Sequence, residues 1–427
     1  MNRGAALIYV ITVSFIASIV ISLMVSRYLY QCYSIRNEFR AIQNSYTAES
    51  GIKLALHKLK EKNFLWRTGT LNNDIPIIER PFWGKDDRVR ISVVDYFGYL
   101  KIECEALSLP KKSASVIIAG QIPESLRYNL MLASEKPFVL DPESKIVGRI
   151  KLNQSPQYRG GAINAILETE PGLRLPEPIV GSFKNSIIYL KNLLSSPGRF
   201  SIELFSPQVF SPENQLPQNM VFVNDAVLIE NKSSCALWST GGITLAATAM
   251  VQISGYTSLN GVIIAAVGPI NVLGDVRISN SILYSESAIK ITGQATISGV
   301  FIAPNIEISQ SSRLVEPALL YAGPPFSRGV IMVASEEPIQ CSILNLCTGN
   351  LIIKEPAEVM GFIYSRAPVS LEGRFRGFLY CQGFYEPSSD TTNTNILLGT
   401  IEPPDYDCSI PIIFSEIKKF RPLLWTD

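Results

Sequence analysis

Histidine is almost missing from this chain. Its 427 residues contain one, His57, in a helical stretch near the N-terminus. Histidine acid–base catalysis and histidine metal sites are therefore excluded from the bulk of the chain. Charge is sparse as well. Asp, Glu, Lys and Arg make up 18% of residues, and 38 basic against 37 acidic side chains leave a net charge of +1. That balance gives no footing for a general nucleic-acid binder, so no nucleic-acid partner is expected. Cys32, Cys104, Cys235, Cys341, Cys347, Cys381 and Cys408 form no CxxC pair and read as small buried hydrophobes. A bridge between Cys341 and Cys347 is open to an oxidising compartment. "GGITLA" at 241–246 lacks the lysine and spacing of a phosphate-cradling loop, and no cofactor is expected.

Glycine and proline are also absent between Ala5 and Ser50. Nothing in that stretch interrupts a helix. Ala5–Val25 is an apolar run of 21 residues without a charge, enough for ~30 Å of helix, the thickness of a bilayer core. Beyond it Ile35, Phe39, Ile42 and Tyr46 recur at helical spacing, and Ile52, Leu56 and Leu59 are read as continuing the stripe. A single helix over 5–62 is expected, membrane-spanning first and amphipathic after.

"RGAALIYVITVSFIASIVISL" followed by "YTAESGIKLALHKLK" resembles the N-terminus of type IV pilin-like proteins, especially minor pilins and pseudopilins. The matching features are a short basic leader ending in Gly4, an apolar helix, and Ala48, Glu49 and Gly51 before a second helical stretch. The resemblance implies removal of a leader, 1–4, by a prepilin peptidase, so that Ala5 starts the mature chain. Tyr9 stands where most members carry glutamate at the fifth mature position, a departure that weakens major-pilin status more than membership. It implies that the helix packs with other pilin-like subunits or assembly proteins, Tyr9 included. It also implies a single-pass protein of the cytoplasmic membrane with its bulk outside the cytoplasm, periplasmic or at the cell surface. The basic residues read alone lean the other way: Arg3 and the N-terminal amine precede the run, and Arg27, Arg36 and Arg40 follow it.

Val89, Ile91 and Val93, then Leu100, Ile102, Cys104 and Ala106, alternate with polar neighbours, and "ASVIIAG" makes a third strand. This is a half-buried antiparallel meander within a small α+β head over 63–125. Past it the grammar changes. Gly255, Gly274 and Gly293 stand 19 residues apart, and Ser312 fills the next place. Before them run Val251 and Ile253, Ile270 and Val272, Ile289 and Ile291; after them come Gly261, Asn280, Gly299 and Ala318. A fixed period of short strands and turn glycines reads as a parallel β-solenoid, so the protein is expected to be mainly β. The pattern resembles bactofilin-type and other polymer-forming β-helical proteins, which implies self-association or a membrane scaffold.

Looser echoes occur at Leu130–Leu140, Ile331–Cys341 and Phe362–Gly373. They place the start of the solenoid at 126–152 and its body at 221–410. The stretch 153–220, with "YRGG", many prolines and a short helix capped at Asn185, reads as an insertion that projects from the solenoid or covers its end. The tail, 411–427, with Phe420, Leu423, Leu424 and Trp425, reads as a cap on the open solenoid end.

Carbohydrate-cleaving β-helices need paired carboxylates on adjacent turns. The outward column expected here, Gln252, Asn271, Lys290 and Ser309, has none, and Asp275 and Glu307 fall outside it. Glu135, Glu286 and Glu336 recur at a corner and read as solvated. Tyr158–Gly161, Trp238 and Tyr256 could contact sugar, but residues of these types more often serve as turns and packing. The expectation is a structural or assembly protein and not an enzyme, carrying a head that presents a surface. The alternatives are an exported carbohydrate-binding or carbohydrate-cleaving β-helix and a bactofilin-like scaffold.

Overall fold

The computed structural model describes residues 3–61, 89–96, 99–106, 113–122, 127–158, 160–178, 181–217, 220–233, 237–386, 395–404, 411 and 419–426. One helix, α1 (Arg3–Glu61), runs unbroken for 59 residues, ~90 Å at helical rise. Its last turns lie on an antiparallel sheet of β1 (Val89–Tyr96), β2 (Tyr99–Ala106), β3 (Ser113–Ile122) and the C-terminal strand Lys419–Thr426, in that order. Ile52, Ala55 and Leu59 pack there against Val89, Ile91, Val93, Leu100, Ile102 and Cys104. The helix comes in close at Gly51, where a Cβ would sit 2.2 Å from Cys104 Sγ. Any larger residue there would lift the helix off the sheet.

Two expectations change here. The C-terminal strand pairs with β3, with Ile117 opposite Trp425 and Ile118 opposite Leu424, so the tail completes the small sheet and does not cap the solenoid. The sequence between β3 and that strand holds the whole solenoid. The apolar stripe of α1 is also two stripes. The buried face carries Asn44, Thr47, Ala48, Ile52, Ala55 and Leu59, whereas Ile35, Phe39, Ile42 and Tyr46 are exposed. At about 100° per residue the two sets lie on nearly opposite sides of the helix.

The solenoid is built of parallel sheets, one of nine strands, one of sixteen and one of three in the described residues. The largest bends round a corner, since Val276–Ser285 pairs with both Thr257–Asn260 and Ile263–Ala266, so a regular turn has three strand runs. In the nine-stranded sheet Val251, Ile270, Ile289, Ile306, Ile331, Leu351 and Val369 stack as one inward column. Ile253, Val272, Ile291, Ile308, Val333, Ile353 and Leu371 form the next, and all are buried. The turn glycines Gly255, Gly274 and Gly293 have φ of 73°, 84° and 98°, a region that side chains avoid. Asn280, at φ 51°, fills the place of Gly261 as asparagine can.

The nineteen-residue spacing holds from Val251 through Ile289 and then shortens, because Ile289 pairs with Ile306. One residue is lost at a bulge, where Ser281 rather than Asn280 meets Gly299, and another at the corner before Asn305. The outward column therefore runs Gln252, Asn271, Lys290, Glu307 and not Ser309. Glu307 Oε2 lies 3.6 Å from Lys290 Nζ.

The stretch 153–220 is no projection. The chain first lays down β4 (Leu130–Leu132), β5 (Val139–Leu140), β6 (Lys145–Leu152), β7 (Gln157–Tyr158) and β8 (Ala162–Thr169). It then crosses the outer face of the large sheet through α2 (Gly181–Ser195). At the far end it begins β9 (Ile202–Leu204) and β10 (Gln208–Phe210), and from there it winds back. Arg374–Cys381 meets β4, with Leu379 opposite Leu130, and the later strand Thr400–Glu402 pairs with both Arg374–Cys381 and β6, so the first strands complete the last turns. Asn185 lies inside α2 and is not its cap. Phe183, Ile187, Leu190 and Leu193 of α2 bury the outer face of the large sheet with Tyr284, Tyr321, Phe362 and Tyr380, and Phe183 stacks on Tyr321 at 5.2 Å. That cover explains why strands such as "SILYS" and "GFIYS" are apolar throughout.

Ile291 is fully buried, while its neighbour Lys290 is 54% exposed beside Glu307. Burial of an isoleucine is worth ~1.5–3 kcal/mol, and an aspartate there adds the cost of a buried charge or of neutralising it. Ile291→Asp is expected to cost more than ~4 kcal/mol and Lys290→Asp less than ~1 kcal/mol. Denaturant unfolding of the two variants checks the register; equal losses would contradict it.

Candidate functional site

The residues proposed from sequence fall into three places. The first is α1. Every described side chain from Leu7 to Tyr33 is exposed, Tyr9 at 72%. The helix is long and apolar enough to cross a membrane, with a most apolar window of mean hydropathy 2.5. Thr12 Oγ1 donates to Ile8 O at 2.9 Å, so this polar side chain is satisfied within the helix itself. Arg27, Tyr28, Tyr30 and Tyr33 follow the apolar run, the residue types that sit at a membrane–water interface. Gly4 and Ala5 lie in the first turn of the helix.

The second place is the solenoid interior. Cys341 and Cys347 are buried thiols and not a disulfide. Both belong to the apolar core, where they pack as free thiols and the bridge left open by the sequence is not formed. Burial pushes the Cys347 thiol up and those of Cys104 and Cys381 to about 12, which keeps them protonated and unreactive. The glutamates Glu135, Glu286 and Glu336 are exposed. They do not share a corner: Glu135 and Glu286 follow strands of the large sheet, whereas Glu336 follows Val330–Ser335 of the nine-stranded one. The echo at Ile331–Cys341 matches the regular turn with the two sheets exchanged. No cluster of potential metal ligands occurs among the described residues.

The third place is the pair of solenoid ends. Beside β10 an open groove of about 500 Å³ is lined by Val209, Pro212, Glu213, Glu230, Lys232, Leu237 and Trp238 among others. Lys232 Nζ pairs with Glu230 Oε1 at 3.0 Å. Glu213 is held below the usual carboxylate range by the Ser211 hydroxyl, which donates to it at 2.7 Å. The charges of the wall thus have partners within it. Tyr256 does not line this groove, and the Tyr158 side chain lies outside the described ones.

At the other end lies a seam that sequence reasoning missed. Glu402 accepts from Arg374 and lies 3.4 Å from Arg376 Nε and 3.6 Å from Lys145 Nζ. Arg376 Nε also meets Glu358 at 3.0 Å. Buried asparagines stitch the same join. Asn129 Nδ2 donates to Gly377 O at 3.2 Å while its Oδ1 accepts from Arg149 N at 2.9 Å. Asn395 accepts from Phe384 N and donates to Lys136 O. The sequence signal was the alternation "RFRG" at 374–377, but its carboxylate partners Glu358 and Glu402 lie on both sides of it in sequence, 28 residues away for Arg374 and Glu402, at no fixed period.

No protein-family model matches the chain, and no curated protein does. Among solved structures, one match is the competence-associated pilin ComZ from Thermus thermophilus. It is 10% identical over 90% of this chain and 97% of that one, with a TM-score of 0.21, too low to carry an argument.

Burial alone would raise the Glu402 carboxyl, but the Arg374 hydrogen bond and the charges of Arg374, Lys145 and Arg376 outweigh it and hold it low. Its contribution to stability is therefore complete above the unfolded value of about 4.3 and is lost as pH falls through the lower folded value. The seam of the wild type should weaken in acid more than that of Glu402→Gln, so the gap in Tm between the two narrows below about pH 4. A gap independent of pH would contradict this role.

Proposed function

We propose that this chain is a non-catalytic structural or assembly component. The first half of α1 anchors it in the cytoplasmic membrane, and the small sheet and solenoid form a rigid head outside the cytoplasm. The setting that fits the N-terminal pattern is a type IV filament or secretion-type system. One observation carries the reading: α1 is a single helix whose N-terminal half is apolar and exposed and whose last turns are built into a folded sheet. A bilayer or neighbouring helices must cover the exposed part. Ile35, Phe39, Ile42 and Tyr46 extend the uncovered surface beyond the apolar run, on the side facing away from the sheet. They are the residues through which a neighbouring subunit's helix would pack.

The leader gives the test. Intact mass of protein from its native host is expected to lack residues 1–4, with Ala5 as the first residue, and Gly4→Leu is expected to leave the chain uncut. Assembled protein that keeps Met1 would remove the pilin-like reading and favour the bactofilin-like scaffold.

The groove beside β10 supports a second reading, in which the head also binds a neutral carbohydrate. Trp238 offers an aromatic face, Leu237 is 38% exposed beside it, and the wall charges are already paired. Glycan-array binding by the intact protein, lost in Trp238→Ala with the fold retained, is the expected result. Binding unchanged in that variant would place any glycan site elsewhere.

A further inference from the structure

The two ends of the solenoid are built differently. At one end β9 and β10 are three residues each, Pro207, Pro212 and Pro217 interrupt the chain beside them, and Leu216 folds over the core at 6% exposure. Short edges, proline and a covering segment are what blunt a sheet edge against further pairing. At the other end β8 runs for eight residues without proline. It pairs along its whole length with β6, and no other strand among the described residues pairs with it. Leu167 continues the inward column of Leu379, Leu130 and Ile150, which are all at 0% exposure, yet Leu167 is 38% exposed. The apolar core is open at this end.

The phase of the ladder is fixed. Ala162 N donates to Ser144 O and Glu170 N to Leu152 O, both toward β6. In a parallel pair, alternate residues turn their N–H and C=O to the same neighbour, so those of Ile163, Ala165 and Leu167 point to the open side. Ala165 is the residue that pairs with Gly148, at φ 111°, where the strand rounds the solenoid corner.

We propose that a second copy of this chain closes the open end, β8 against β8, antiparallel about a twofold axis at Ala165. That axis superposes the two corners. It sets Ala165 opposite itself and Ile163 of one copy opposite Leu167 of the other. These are the residues whose backbone groups are available and whose side chains belong to the core face. Glu168, the one charge in the strand, falls opposite Ala162, so no like charges meet. Because the far end is blunted, pairing at β8 gives a closed dimer and not a growing fibre.

The test uses the full chain in detergent, with Cys32→Ser to remove the thiol exposed among the described residues and Cys235→Ser and Cys408→Ser to remove the two cysteines that lie outside them. Light scattering is expected to give the mass of two copies. Ala165→Cys should form a disulfide-linked dimer on mild oxidation, since opposed antiparallel residues fall within disulfide reach. Val209→Cys, 46% exposed at the opposite end, should not. Adding Leu167→Lys to Ala165→Cys should cut the cross-linked fraction at least about tenfold, because it puts ammonium groups in the joint. A monomer would overturn the proposal. So would a dimer in which Ala165→Cys fails to cross-link, and so would a ladder of larger species joined through both ends.

Discussion

A turn of this solenoid cannot bury its own inward side chains; only the turn above and the turn below can. Ile291 is fully buried because Val272 lies on one side of it and Ile308 on the other. Everything else in the head follows from that dependence. Columns must stay in register, so residues are added or dropped only at corners and bulges, as between Ser281 and Gly299. The stack must also stop somewhere, and each end exposes strand edge and core. The chain brings its early solenoid strands, β4 and β6, onto its late ones, Arg374–Cys381 and Thr400–Glu402, and leaves β8 as the edge of the stack. Asn129, Asn395 and the Glu402 cluster hold that join. Two segments far apart in sequence thus become consecutive turns, and the chain enters and leaves the solenoid near one end. The return crossing through α2 also covers the outer face of the large sheet.

The small sheet ties this unit to α1. Its first three strands precede the solenoid and its fourth follows it, so the solenoid stands between adjacent strands of one sheet. Tyr99 and Ile118 of the sheet are buried in the same apolar cluster as Tyr284 and Tyr321 of the solenoid, and Tyr99 Oη donates to Ala318 O. Gly51 lets α1 seat against Cys104. A helix fixed in a sheet that is itself fixed on a stack of turns carries orientation from α1 into the head.

Much of this was legible in the sequence. Alternation marked the meander and the inward columns, because burial on one face leaves a period of two. The nineteen-residue glycine spacing marked the regular turns, since the required φ favours glycine; Asn280 and Gln310 adopt it where no glycine stands, Gln310 in the place that follows Gly293. The long helix was legible from its lack of breakers. What failed depended on partners distant in the chain. The tail reads as an apolar cap, but β3 offered it an edge. The stretch 153–220 reads as irregular because its strands join turns that come later in the sequence. Ser309 was placed outward by counting, and two dropped residues put Glu307 there instead. The stripe of α1 reads as continuous because Tyr46 and Ile52 are both apolar, although the step of six residues turns the face away. Cys341 and Cys347 are near in sequence, but strand geometry commits both to the core.

The central claim is that α1 holds the head outside the cytoplasm. Glu337 is exposed on the solenoid, so Glu337→Cys in a background of Cys32→Ser, Cys235→Ser and Cys408→Ser offers a reporter on the head. A membrane-impermeant thiol reagent, applied to intact native-host cells whose outer layer is permeable, is expected to label that variant without lysis and to leave the parent background unlabelled. Labelling that appears only after the cytoplasmic membrane is broken would put the head inside the cell and contradict the account.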